Sequence, residues 1–188
     1  MTESIADRYR RRAAHMTETV AAVPADRWEM STPCEEWTAR DLVRHLVDTQ
    51  AMFAGFVDRP FEPGPPVADD PLAAWIAARD QTQAALDDPA VAALEFDGFT
   101  GRSTFESAAD RFLSFDLVAH RWDLARAAGI DEQIPPDDLA AMQVAIEEMS
   151  ATMGQAMRGP GAFGPELEPP VGADPQTRVL AFIGRRAW

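Results

Sequence analysis

The chain has 188 residues, 46% of them hydrophobic and 26% charged, a balance that suits one globular domain with a sizeable core, expected over residues 1–188, and excludes a disordered or fibrous protein. A formal charge of −14 and a pI near 4.5 exclude nucleic acid as a partner, because phosphate-backbone binding depends on a basic surface that releases counterions. A single cysteine, Cys34, excludes an internal disulfide framework, and the 17 basic residues are all arginine, so Schiff-base chemistry has no lysine to use.

Helical periodicity dominates from the start. Tyr9, Ala13, Met16, Val20 and Val23 share one face of a helix expected over 3–23, with arginines opposite and Pro24 behind it. His15 falls on the arginine-rich side and reads as a solvated residue. The charged first dozen residues lack the apolar stretch of a signal peptide, and no apolar run approaches the ~20 residues of a bilayer span, so a cytoplasmic protein with no membrane partner is expected. After a break at 31–36, Thr38 and Asp41 form a capping-box variant ahead of a second helix to about Val57. Its apolar face carries Leu42, Leu46, Met52, Phe53 and Phe56, with His45 towards the Met52 edge. Residues 58–69 are rich in proline and glycine and forbid helix. Extended at roughly 3.3 Å per residue, they reach about 40 Å, longer than the ~30 Å of a 20-residue helix. They can therefore run the length of a bundle and make the second and third helices parallel.

A third helix is expected over 71–87, with Pro71 in its first turn and Leu72, Trp75, Ile76 and Leu86 as core contacts. Residues 91–100, with Leu94, Phe96 and Phe99 and turn glycines at 98 and 101, read as extended or as a small hairpin. A fourth helix over 103–128 is apolar on nearly every side and should be the most buried, stopping at Gly129. A fifth fits 136–157, a Gly/Pro loop follows over 159–170, and Asp174-Pro175 opens a short last helix that Gly184 ends.

Three residues stand apart from this apolar pattern. On a helical wheel turning about 100° per residue, Asp116 and His120 fall inside the arc of Phe112, Leu113, Leu117, Leu124 and Ala127. A carboxylate drawn out of water needs a partner, and no cation lies three or four residues away. A divalent metal is the simplest one; His45 on the second helix, which taken alone reads as a core histidine bonded to a backbone carbonyl, would with this pair complete a facial set of two imidazoles and a carboxylate, suited to zinc, nickel, iron or manganese with positions left open. Asp41, one turn before His45, and Asp123, on the face of Asp116, are both candidates to orient a ligand imidazole, and both could equally cap helices or pair with arginine. Cys34 lies just ahead of the second helix, where a helix terminus can activate a thiol, although a small packed loop residue is the simpler reading. Met142, Met149, Met153 and Met157 read as flexible core filler, and Trp37 as a packing anchor placed to wall a pocket.

The run TPCEEWTARDLVRH from Thr32 to His45, DLVAHRWDLARAAG from Asp116 to Gly129 and DPQTRVLAFIGRRAW from Asp174 to Trp188 resemble the actinobacterial metal-binding proteins of the DinB/YfiT-like superfamily, and within it the N-terminal domain of mycothiol-dependent maleylpyruvate isomerase. The resemblance implies an all-α, up-down-down-up four-helix bundle, here with extra C-terminal helices. It also implies a divalent metal, typically zinc or nickel, held by His45, Asp116 and His120, with Asp116 standing where isomerase-like members carry Glu. The isomerase's separate C-terminal domain is not expected within 188 residues. The implied function is a thiol-dependent metalloenzyme, with mycothiol as cosubstrate and a small electrophile as substrate for transfer, isomerisation or detoxification. Arg40, Arg44 or Arg126 would hold an anionic substrate. Two rival readings are a metal-dependent hydrolase using bound water, with Asp41 or Asp123 as base, and a non-catalytic metal- or ligand-binding module. In the latter, Met- and Trp-bearing surfaces would form a homodimer interface.

Overall fold

The computed structural model describes residues 3–34, 37–98, 101–159 and 163–188. Phe99 in the expected hairpin, Glu35 and Glu36 in the break before the second helix and 160–162 of the Gly/Pro loop lie outside the described residues. The chain groups into two compact units, Met1–Glu132 and Gln133–Trp188.

In the first unit, α1 (Ile5–Ala22), α2 (Ala39–Phe56), α3 (Pro71–Asp87) and α6 (Ser114–Ala128) are the long elements. Helix α1 packs on α3 and α6, and α2 packs on the same two, closing a four-helix ring. This is the all-α, DinB-like bundle expected. The first three helices begin where their sequence provides a cap: Ser4, Thr38 and Asp70 each accept a hydrogen bond from the backbone N–H three residues on, and Asp41 completes the capping box by accepting from the Thr38 N–H. The core is the set of apolar stripes. Tyr9, Ala13, Met16 and Val20 of α1 meet Leu42, Leu46 and Phe53 of α2, Trp75 and Leu86 of α3, and Leu117 and Leu124 of α6, all buried. Each of the larger aliphatic and aromatic side chains among them is worth about 1.5–3 kcal/mol on burial. Polar ties fix the register between helices: the Tyr9 hydroxyl donates to Gln50 Oε1, Trp75 Nε1 donates to Thr17 Oγ1 at 2.9 Å, and Arg8 pairs with Asp110 at 2.7 Å.

Two side chains of the bundle sit differently from the sequence reading. Met52, placed in the apolar stripe of α2, is 43% exposed, so His45 beside it lies at an open edge. Arg12, placed on the solvated side of α1, is buried and donates to the Ser114 carbonyl at 3.3 Å.

A short helix, α4 (Pro89–Ala92), precedes an antiparallel hairpin of β1 (Glu95–Gly98) and β2 (Gly101–Thr104), in register Glu95 to Thr104. The continuous helix expected over 103–128 is divided. Thr104 caps α5 (Phe105–Ala108), five residues, Ala109–Leu113, form a π-helical turn, and α6 follows. Helix α6 is the most buried element, with Trp122 and Leu124 fully enclosed, and it stops at Gly129 in the left-handed region, φ 72°.

The second unit holds α7 (Pro136–Met153) and α8 (Pro175–Phe182), which pack together. Gly154, φ 52°, ends α7 and a 3-10 turn, Gly154–Met157, completes the stretch read as one helix. Met142, Met149 and Met157 are buried, as core filler should be. Asp174 caps α8 by accepting from the Thr177 N–H, and Gly184 turns the chain at φ 84°, its Cα packed on Gly164.

Candidate metal centre

Helix α2 positions His45 two turns after its cap, and α6 positions Asp116 and His120 one turn apart, so packing α2 on α6 brings the three together. Their ligand atoms lie within 4.8 Å of one another, with His45 Nε2 and Asp116 Oδ2 at 3.6 Å and the two imidazole centroids at 5.0 Å, edge to face. The grouping expected from the sequence is thus present as geometry. His45 and Asp116 have side chains 29% and 32% exposed, whereas that of His120 is 8% exposed. One side of the cluster is therefore open and the other closed.

Each imidazole is held by its second nitrogen. His45 Nδ1 lies 3.3 Å from Thr49 Oγ1, one turn further along α2, and His120 Nδ1 lies 3.0 Å from Asp123 Oδ2, three residues on in α6. With Nδ1–H donating in both rings, both Nε2 lone pairs are left for an ion, the arrangement by which metal-ligating histidines are oriented. Of the two orienting carboxylates considered from sequence, Asp123 is the one at the site. It is fully buried. Asp41 is spent on the α2 cap and on Arg44, 2.5 Å away, and the Thr38 hydroxyl, the Thr38 amide and Arg44 hold its carboxyl below the usual aspartate value.

Three neighbours outside the expected ligand set also reach the site: Thr49, Trp37, read as a pocket wall, and Cys34. Trp37 sets its ring at a tilt against both imidazoles, with centroids 4.6 Å from His45 and 6.0 Å from His120. Cys34 arrives from the loop before α2, where Ser31 bridges Thr38 and the Thr32 N–H donates to the Trp37 carbonyl at 2.9 Å. Within it the Cys34 N–H donates to Thr32 Oγ1 at 3.1 Å. Cys34 Sγ then sits 3.2 Å from Asp123 Oδ2 and 3.8 Å from His120 Nδ1. Thr49 and Asp123 had a readable signal, a hydroxyl or carboxylate at helical spacing from a histidine. Cys34 had none, because it meets α6 across 86 residues of chain.

The remaining expectations divide. His15 is half-buried on α1 and belongs to neither donor group. Arg40 pairs with Glu29 and donates to the Val67 and Ala68 carbonyls, Arg44 pairs with Asp41, and Arg126 pairs with Glu132 over the Trp122 ring. All three arginines offered as substrate anchors are thus engaged elsewhere. Among the described residues, no helix is long and apolar enough to cross a membrane.

The sequence of residues 9–125 matches the family model of the mycothiol maleylpyruvate isomerase N-terminal domain. Two uncharacterized proteins of Mycobacterium tuberculosis, from strains CDC 1551 / Oshkosh and ATCC 25618 / H37Rv, are each 31% identical over 173 residues, covering 88% of this chain and 89% of the relative. No solved structure matches the chain.

Proposed function

We propose that this chain, which belongs to the mycothiol maleylpyruvate isomerase N-terminal domain family and so to the DinB-like proteins, binds a divalent metal and uses it with a thiol cosubstrate of the mycothiol type on a small electrophile. The reading rests on one observation: two imidazoles and a carboxylate converge at the open edge between α2 and α6, and each imidazole has its second nitrogen held by a neighbour. That donor set suits zinc or nickel and leaves coordination positions open, as catalytic sites do.

His45, Asp116 and His120 would hold the ion. Bound there, a divalent cation would stabilise a thiolate near neutral pH beside an electrophile, which spares the protein a nucleophile of its own. The chain's own groups do the rest. Thr49 Oγ1 and Asp123 Oδ2 fix the rings so that both present Nε2. The fully buried Asp123 carboxylate keeps the proton at His120 Nδ1 and raises the basicity of the opposite nitrogen. Trp37 walls the pocket beside both rings, while the edge at His45 and Asp116, about one-third exposed, admits a small molecule.

The hydrolase reading is less well supported. It needs a carboxylate base facing the open edge, but Asp41 is committed to the α2 cap and Asp123 is buried behind His120. The test uses cobalt-loaded protein in a Cys34→Ser background, so that no internal thiol contributes. Adding mycothiol should produce a sulfur-to-metal charge-transfer band, and His120→Ala should abolish it. If loaded protein gives no band, thiolate ligation is wrong and a water-based or non-catalytic role takes its place.

A further inference from the structure

We propose a second, thiophilic metal position on the Nδ1 side of His120, formed by Cys34 Sγ, His120 Nδ1 and Asp123 Oδ2 and suited to a soft divalent ion such as cadmium or zinc. The three atoms are 3.8, 3.2 and 3.0 Å apart. A tetrahedral ion with metal–sulfur contacts of about 2.3 Å and metal–nitrogen and metal–oxygen contacts near 2.0 Å sets its donors roughly 3.3–3.6 Å apart. The trio therefore needs shifts of only a few tenths of an ångström to close on an ion. It is a separate position: among the described residues, no group joins Cys34 or Asp123 with His45 or Asp116, and His120 alone belongs to both trios.

Charge and burial separate the two positions as well. Two neutral imidazoles and one carboxylate leave a divalent ion with net charge +1, which belongs at an edge where His45 and Asp116 are about one-third exposed. Thiolate, carboxylate and neutral imidazole bring the net charge to zero, so the ion can occupy the closed side, where the Asp123 side chain is 0% and that of His120 8% exposed. The thiolate selects the ion, because soft sulfur favours cadmium and zinc over harder cations. On binding, the Cys34 thiol proton leaves to solvent, the Nδ1 proton of His120 is given up in favour of one at Nε2, and metal bonds form to Sγ, Nδ1 and Oδ2. One neutral imidazole cannot offer both nitrogens at once. The two positions therefore exclude each other, and an ion on the thiolate side withdraws His120 from the edge site.

The test is a cadmium titration of metal-free protein without added thiol. Cys34 is the sole cysteine, so any cadmium–thiolate charge-transfer band reports this position. The parent should show the band, saturate at one ion per chain and protect Cys34 from iodoacetamide. His45→Ala should keep the band at an affinity within about threefold, whereas Asp123→Asn should weaken it at least tenfold, with circular dichroism verifying that both are folded. Protection of Cys34 in the unmodified chain needs no variant and stands as an independent readout. The absence of both band and protection in the parent overturns the proposal. So does loss of the band in folded His45→Ala, which would mean that sulfur joins the edge site as a fourth ligand, and so do two ions per chain. Failure here leaves the edge site intact, because its own test is run in Cys34→Ser.

Discussion

Asp123→Asn is the substitution that most directly examines how the cluster is built. The carboxylate is fully buried, and its Oδ2 accepts from His120 Nδ1 at 3.0 Å. The amide has the same shape and still offers an oxygen to the ring, so the fold and the imidazole position should persist while the charge is lost. A hydrogen bond to a charged group is worth about 1.5–3 kcal/mol and a neutral one about 0.5–1.5. The difference, roughly 1–1.5 kcal/mol, is about a five- to twelvefold loss of affinity for an ion at Nε2. Oriented ligand histidines generally lose 10–100-fold when their partner is changed, so about tenfold is expected. Competition between the protein and a chromophoric chelator for nickel, an ion suited to imidazole nitrogen, would measure it. Asp41→Ala supplies the contrast, because it strips the α2 capping box, costing about 0.5–1 kcal/mol of stability, and should leave nickel affinity unchanged. An unaltered affinity in Asp123→Asn, or an equal fall in Asp41→Ala, would refute the assignment of Asp123 as the group that orients His120.

His45→Ala and His120→Ala should each abolish stoichiometric nickel binding while His15→Ala retains it, and equal nickel content of all three by elemental analysis would reject the edge site. Asp116→Asn should weaken nickel binding at least tenfold without unfolding the chain, because the amide keeps the shape and removes the anionic donor; unchanged affinity would mean that the third ligand is not Asp116. Gly184→Ala should destabilise the Gln133–Trp188 unit by about 2–4 kcal/mol, read by urea unfolding, since φ is 84° and the new Cβ would lie 2.9 Å from Gly164 Cα. Finally, Asp41 titrates below its ordinary value in the folded protein, so its contribution to stability is complete above about pH 4 and lost as pH falls through the lower folded value. Thermal midpoints of parent and Asp41→Asn should therefore converge on acidification, and a constant gap between pH 2 and 6 would disprove the linkage.

The helices were legible where one stretch of sequence carried both the cap and the stripe. Helix α3 and the Thr38 cap of α2 came out as read because Pro71, Thr38 and Asp41 act within a single turn of where they stand. The π-helical turn at Ala109–Leu113 was not legible, since its residues suit an ordinary helix and its packing is on α2, a partner distant in sequence. The same division runs through the site. Asp116, His120 and Asp123 share one helix, and their mutual placement follows from spacing. That His45 faces them needed the packing of α2 on α6, which the family resemblance supplied. The approach of Cys34 depends on the path of a loop, and no local spacing encodes it.

The π-helical turn has a consequence for how the molecule tolerates change. A wide turn is an α-helix with one residue too many, and excising one residue from Ala109–Leu113 would restore the regular winding. Because the wide turn has already absorbed the extra residue, the segments on its two sides would keep nearly the same facing relative to each other. Phe105 and Ala108, now enclosed, would still face the bundle, and the residues from Asp116 onward would keep their mutual spacing. A one-residue change in length at this turn is thereby absorbed locally, and the segment that carries Asp116, His120 and Asp123 stays in register with α2.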